Sequence, residues 1–273
     1  MGSRVRQIRQ QLGLASAVAL CTLLSSAVSG STAAGFNRPV EPEFRLTRLV
    51  YNGNGNDFRG SSWRTDAPEA EYHLSQGIRR LTRINTIDPD NEPDVVYPVQ
   101  LDPRQPLNPD LFLHPFLYAV EVGRWYLDDQ EAAQLREYLE RGGFLMVDDF
   151  HGSAQWEGFM ESFQRVFPDR EWKEIPEGHE VFHVLYDLSQ KVHDKLQIPG
   201  IVALNSGVTY EQDGYEPHWR GVFDDNGRLM VAINFNMDLG DSWELADSPN
   251  YPQPLTALGY RFAISYAIYA MTH

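Results

Sequence analysis

The sequence predicts one open, mostly parallel α/β sheet of the doubly wound kind, and three observations carry that prediction. Two runs, Phe116 to Val122 (FLYAVEV) and Phe144 to Val147 (FLMV), have apolar cores that are continuous rather than alternating, as in strands buried on both faces. Between them lies a helical stretch, DQEAAQLREYLERGG, with Asp128 or Asp129 as its cap and Gly142 and Gly143 ending it, so the three make a βαβ unit. Helical and strand patterns then keep alternating towards the C-terminus, the order expected of α/β proteins.

Taken in order, the chain opens with Arg4, Arg6 and Arg9 and no acid. An apolar run follows from Leu12 to about Val28, and then small residues through SGSTAAG. This reads as a secretory signal peptide over residues 1–34, cut after Ala34 or, as second choice, after Ser29. An uncleaved membrane anchor is the alternative, although the run falls short of the roughly 20 residues a span needs. The expectation is a secreted or periplasmic protein without a membrane span once the signal is removed. Residues 35–43 would be a short extension and 44–273 the domain. Cleavage removes Cys21, the one cysteine, and with it any Cys nucleophile, disulfide or thiolate metal site. It also leaves 20 basic residues against all 38 acidic ones, about −18 in formal charge. Such a surface repels phosphates and excludes nucleic acid as a partner.

The segment FRLTRLVY, Phe44 to Tyr51, alternates and then turns apolar, as a strand entering a core does. The turn-rich NGNGNDF follows from Asn52 to Phe58, and a helix opens at Pro68 and Glu69 and runs to about Asn85. A short strand fits Asp94 to Val99. The helix Ala154 to Phe167 carries Trp156, Phe159, Met160, Phe163 and Val166 at core spacing. Late strands are expected near Ile201 to Leu204 and at Arg228 to Phe235, the latter reached through the turn Asp224 to Gly227. The apolar run Thr256 to Met271, interrupted by Arg261, reads as a helix packed on the sheet.

In this architecture ligands sit outside the carboxyl ends of the strands. That rule gathers Asn52, Asn54, Asn56 and Asp57 after the first strand, and Glu121 and Arg124 after the third. It adds Asp148, Asp149 and His151 after the fourth, and Asn234, Asn236, Asp238 and Asp241 after the late strand. Asp148, Asp149 and His151 are the catalytic candidates. Asn52, Asn54, Glu121, Arg124, Asn236, Asp238, Asp241, Trp243 and Glu244 are the ligand-binding candidates. Trp243 and Trp219 also offer rings on which a sugar could stack. Each Asp or Asn alone has a plainer reading as a turn or helix cap, and Asp149 or Ser153 could cap the helix near Ala154. On a strand Asp148 and Asp149 point to opposite sides, so a shared-proton pair requires the chain to bend.

His179 and His183 lie four apart in GHEVFHVLYDL and, on a helix, share a face; with His151 or an Asp they would form a metal site of nitrogen and oxygen ligands. The order His179-Glu180-Val181-Phe182-His183 has the letters of the zinc-protease motif H-E-x-x-H, in which Glu180 would be the base, and the motif works only where a helix puts both imidazoles on one face. The alternative is a loop that docks Val181 and Phe182 into the core. NGNGN lacks the Walker lysine and the dinucleotide fingerprint, and no G-x-S-x-G elbow is present.

Three strings, LDDQEAAQLREYLERGGFLMVDDFHG, GHEVFHVLYDL and MDLGDSWEL, in that order and spacing, resemble the bacterial domain-of-unknown-function family 4159. The resemblance covers about Phe44 to His273. It implies a class I glutamine amidotransferase-like, flavodoxin-like fold and adds weight to the crevice at Asp148, Asp149 and His151. It implies no assigned activity, and the missing cysteine excludes glutamine hydrolysis by the amidotransferase route. The expectation is therefore a degenerate domain that binds a ligand or an envelope partner, protein or glycan, at that crevice. The alternative is a metal-assisted hydrolase acting on a glycan or cell-envelope amide. No cofactor is expected, and a divalent metal is the one admitted. In an enzyme the Asp and His side chains should converge within shared-metal or hydrogen-bond distance; in a binder they should be splayed and satisfied by backbone.

Overall fold

Continuous apolar runs become the centre of a seven-stranded sheet in the computed structural model, which describes residues 41–53, 62–92, 94–102, 104, 106 and 109–273. Residues 1–34, read above as a signal peptide, and Asn54, Asn56 and Asp57 lie outside the described residues. The strands in chain order are β1 (Thr47–Val50), β2 (Asn52–Gly53), β3 (Tyr97–Gln100), β4 (Phe116–Val120) and β5 (Trp125–Tyr126). They continue with β6 (Phe144–Asp148), β7 (Lys173–Glu174), β8 (His218–Phe223) and β9 (Leu229–Phe235). The helices are α1 (Glu69–Leu81), α2 (Asp129–Glu140), α3 (Gly152–Val166), α4 (Ser189–His193), α5 (Ile201–Asn205), α6 (Leu239–Glu244) and α7 (Gln253–Thr272).

Spatial order in the main sheet is β3-β1-β4-β6-β9-β8-β7. β3, β1, β4, β6 and β9 run parallel, β8 pairs antiparallel with β9, and β7 pairs antiparallel with β8 at that edge. Counting the parallel strands alone gives the order 2-1-3-4-5, that of flavodoxin-like sheets. β2 and β5 form a separate two-stranded antiparallel pair.

Period-two alternation sorts the strand residues between two buried layers. Phe116, Tyr118, Val120, Phe144 and Met146 join Leu74 and Ile78 of α1 and Phe262, Ala263 and Tyr266 of α7. Leu117, Ala119, Leu145 and Val147 join Ala132, Leu135 and Leu139 of α2 and Phe159, Phe163 and Val166 of α3. At roughly 1.5–3 kcal/mol per fully buried large apolar side chain, these two layers are the main source of stability. No helix among the described residues is long and apolar enough to cross a membrane.

Two expectations are corrected. Ile201 to Leu204 is the helix α5, not a strand: Gly200 caps it, only Ala203 is buried, and Val202 is 65 % exposed, so the apolar run never enters the sheet. The missing strand is β8, HWRGVF, whose His218 and Arg220 disguise it; it pairs with β9 across the Asp224–Gly227 turn. His179 to His183 is not an α-helix either. It is a 3-10 turn over Glu180–Phe182 that buries Val181 and Phe182, with His179 Nδ1 accepting from Val181 N at 3.2 Å.

Candidate functional site

Register aligns Val120 with Asp148 and Val147 with Ile233, so β4, β6 and β9 leave the sheet side by side. Each leaves through a non-glycine residue in the left-handed region: Glu121 at φ 56°, Asp149 at φ 52° and Asn236 at φ 63°. Asp66, just before α1, is a fourth at φ 66°. Such backbone is uncommon outside glycine, and surrounding structure must hold it. Here the exits are stitched together: Glu121 N donates to Asp148 O, Asp149 N to Met237 O and Asn236 N to Phe150 O, each at 3.1 Å. The turn at Asp149 is the bend that a shared Asp148–Asp149 environment requires.

Asp148 is fully buried. Its Oδ2 accepts from Leu239 N at 2.7 Å and Gly240 N at 3.1 Å, with Tyr118 Oη 3.4 Å away, while Oδ1 has no partner. Asp238 Oδ1 accepts from Asp241 N at 2.7 Å, and Asp241 Oδ2 from Ile201 N at 2.6 Å. Oδ2 of Asp66 is buried without a partner and occupies the space that a side chain at 240 would need: a Cβ on Gly240 would lie 2.0 Å from it. One oxygen each from Asp66, Asp149 and Asp238 lie within 4.8 Å of one another, and so do one each from Asp66, Asp241 and Glu244. Oxygens bound to one cation at 2.0–2.6 Å can be no more than about 5 Å apart, so these buried acidic clusters could hold a metal.

The electrostatics agree. Burial, then the charges of Asp149 and Asp241, raise Asp66 and Asp238 well above the usual carboxylate range. Burial, then Asp149, does the same to Asp148. Glu121 is pushed up to about 7 by burial and Asp149, and Glu244 to about 7 by burial and its hydrogen bond with Asp241. Burial opposes charge on His151, yet the hydrogen bond from its Nε2 to Asp149 Oδ1 at 3.2 Å and the charges of Asp149, Glu211 and Glu121 together outweigh it and raise the imidazole. Its Nδ1 is buried without a partner.

Neighbouring cations are already committed. Arg48, fully buried on β1, is ion-paired with Glu71 of α1 and donates to the carbonyls of Trp63 at 3.0 Å and Thr65 at 2.6 Å. It thereby fixes the turn that presents Asp66. Arg124 lies 3.4 Å from Glu121. Donors made only of carboxylate oxygen suit Mg²⁺, Ca²⁺ or Mn²⁺ better than zinc.

Of the residues singled out from sequence, Asp148, Asp149, His151, Asp238, Asp241, Glu244, Glu121 and Arg124 gather at this end. Asn236 is a brace, accepting from Gly152 N at 2.9 Å and donating to Glu216 O at 2.7 Å. Asn234 is buried between Val147 O and Tyr266 Oη. Asn52 sits on β2 and reaches Glu131 of α2 at 3.4 Å, and Asn54 lies outside the described residues. Trp243 and Trp219 are core residues with no face for a sugar, Trp243 packing on Tyr118 and Trp219 on Phe262. Asp149 is no helix cap: His151 holds the cap position of α3 without a side-chain bond, and Ser153 is bound by Asp213.

His179 and His183 stand elsewhere. His179 packs on Phe223 and Tyr269, and Tyr269 Oη in turn accepts from Leu229 N at the amino end of β9, opposite His151. His183 Nε2 is 3.1 Å from Glu177 O. Neither joins a cluster of three potential ligands among the described residues. Sequence reasoning missed Asp66, the Arg48–Glu71 pair and Glu211, whose carboxyl is raised by burial and whose Oε1 would lie 3.0 Å from a Cβ at Gly200, beside Asp238 and Asp241. An arginine inside the apolar run FRLTRLVY was the available signal for the pair; Asp66 and Glu211 left none.

No curated protein matches the chain. The family described as Domain of unknown function (DUF4159) matches residues 45–271, nearly everything from β1 to the end of α7. The chain therefore belongs to the DUF4159 family.

Proposed function

We propose that this protein binds a divalent cation at the carboxyl end of its sheet and uses it to hold a polar ligand of the cell envelope. The observation that carries the reading is the pair of overlapping carboxylate clusters around Asp66, each tight enough for one ion. The basic, apolar and small-residue pattern of residues 1–34 supports a secreted or periplasmic location. The test is thermal unfolding of chelator-treated protein with Mg²⁺, Ca²⁺ or Mn²⁺ added. An ion present at 100 times its Kd should stabilise by about 2.7 kcal/mol. If none of the three ions at millimolar concentration moves the transition, the reading fails.

One observation favours a second reading, metal-assisted hydrolysis of a glycan or envelope amide. His151 bonds Asp149, a member of one cluster, through Nε2, and its buried Nδ1 has no partner. A bound cation would supply an activated water, and His151 would be the group to take its proton. His151→Gln should then abolish turnover while cation binding persists; turnover that survives the substitution removes His151 from the chemistry.

A further inference from the structure

We propose that the crevice is a two-cation centre in which Asp66 bridges the ions, one held with Asp149 and Asp238 and the other with Asp241 and Glu244. This rests on the reading that the crevice binds a cation at all. Two ligand groups share one residue, and that residue is the one whose buried oxygen lacks any hydrogen bond. Asp149 follows β6 and Asp238 caps the N-terminus of α6, the helix that carries Asp241 and Glu244, so α6 and its cap set both clusters against Asp66.

Charge argues for the second ion. Asp66, Asp149, Asp238, Asp241 and Glu244 carry five negative charges when ionised, so one divalent cation leaves about three uncompensated and two leave about one. An independent observation points the same way. Asp148 is fully buried with Oδ1 unpartnered, while its other oxygen binds the backbone of Gly240, against which Asp66 Oδ2 lies. The wall beside the bridging residue thus holds another carboxylate oxygen without a donor. Glycines make the close approach feasible: a Cβ at Gly200 would fall 2.7 Å from Asp238 Oδ2 and 3.2 Å from Asp241 Oδ2. Paired cations of this kind would activate a water and polarise the group it attacks, which suits the second reading above.

Titration of the purified, chelator-treated protein with Mn²⁺, followed by calorimetry and by electron paramagnetic resonance, tests the idea. Expected are two ions per chain, with the spectrum of the first broadened by magnetic coupling when the second binds. Glu244→Gln should leave a single ion with an uncoupled spectrum, and Asp66→Asn should weaken both ions at least tenfold and abolish coupling. One ion per chain in the unmodified protein, or two ions without coupling, overturns the bridge but leaves the cation site standing. No ion at all overturns both. The unmodified protein decides the question by itself should a variant fail to fold.

Discussion

The two ends of one sheet treat charge in opposite ways. At the amino end Arg228 donates to Gly143 O at 3.0 Å and Leu139 O at 2.5 Å and pairs with Asp224 at 3.4 Å. Asp224 also accepts from Asn226 N and Arg228 N, and Tyr138 donates to His114 O. Burial works against the Asp224 charge, yet those N–H groups and the guanidinium hold its carboxyl below the usual range. At the carboxyl end Asp66, Asp148 and Asp238 are driven the other way, and two buried carboxylate oxygens have no donor. A net charge of −15 cannot explain this, because both ends belong to the same acidic chain. Acids that serve the fold have donors within the chain, as the Asp128 capping box also does, accepting from Gln130 N and Glu131 N. At the carboxyl end two buried carboxylate oxygens, Asp66 Oδ2 and Asp148 Oδ1, are left without one.

The largest expected effect tests the frame beneath the crevice. Arg48→Met strands Glu71 as a buried unpaired carboxylate and should cost roughly 3–5 kcal/mol in denaturant unfolding. A cost below about 1 kcal/mol would mean that the pair does not hold the Asp66 turn. Next is Arg228→Ala at the opposite end, where the loss of donors to two carbonyls should cost about 1–3 kcal/mol, with or without added cation. A cation-dependent cost would blur the contrast between the ends.

Asp149→Asn should invert the sign. In metal-free protein it removes a charge that raises Asp66, Asp148, Asp238 and Glu121, so the melting temperature should hold or rise. The stabilisation gained from Mn²⁺ should shrink. Asp128→Ala is the control, an authentic cap whose loss costs about 1 kcal/mol, or about 2–4 °C for a domain of this size. If Asp149→Asn behaves like Asp128→Ala, the comparison breaks, because Asp149 would then be as structural as a cap.

Much of the fold was legible because burial writes itself into composition. FLYAV and FLMV read as strands covered on both faces, and one of the two candidate caps, Asp128, together with the Gly142–Gly143 stop bounds α2. The crevice was legible in part, since β6 and β9 end on acids at positions where any parallel sheet must gather them. What could not be read was geometry that depends on backbone sign and on distant partners. Nothing local marks Glu121, Asp149 and Asn236 as left-handed, and nothing in TDAPEA says that Asp66 will meet the ends of two strands and α6. The apolar IVAL of α5 misled for the converse reason: an exposed apolar residue such as Val202 obeys no burial rule. The spacing of His179 and His183 suggested a shared face, but that requires an α-helix, and the chain there makes a single 3-10 turn.

The smallest predicted effect is a slope. A carboxyl group at 121 or 244 releases its proton near 4.5 in the unfolded chain but at about 7 in the folded one. Between those values the folded state binds more protons, so stability contributed below about pH 4.5 is lost as pH rises through 7. The raised carboxyls of Asp66, Asp148 and Asp238 act in the same sense. Paired surface acids such as Asp169, held at about 2 by Arg136, act in the opposite sense, but only at far lower pH. Metal-free protein should therefore melt at progressively lower temperature from pH 5 to 7.5, and Glu244→Gln should make that decline shallower. Added Mn²⁺ should flatten or reverse it, because the ion displaces the protons that the empty carboxylates retain. A melting temperature that rises steadily over this interval without metal would mean that the carboxyl-end acids are as well paired as Asp224, and the difference between the two ends would disappear.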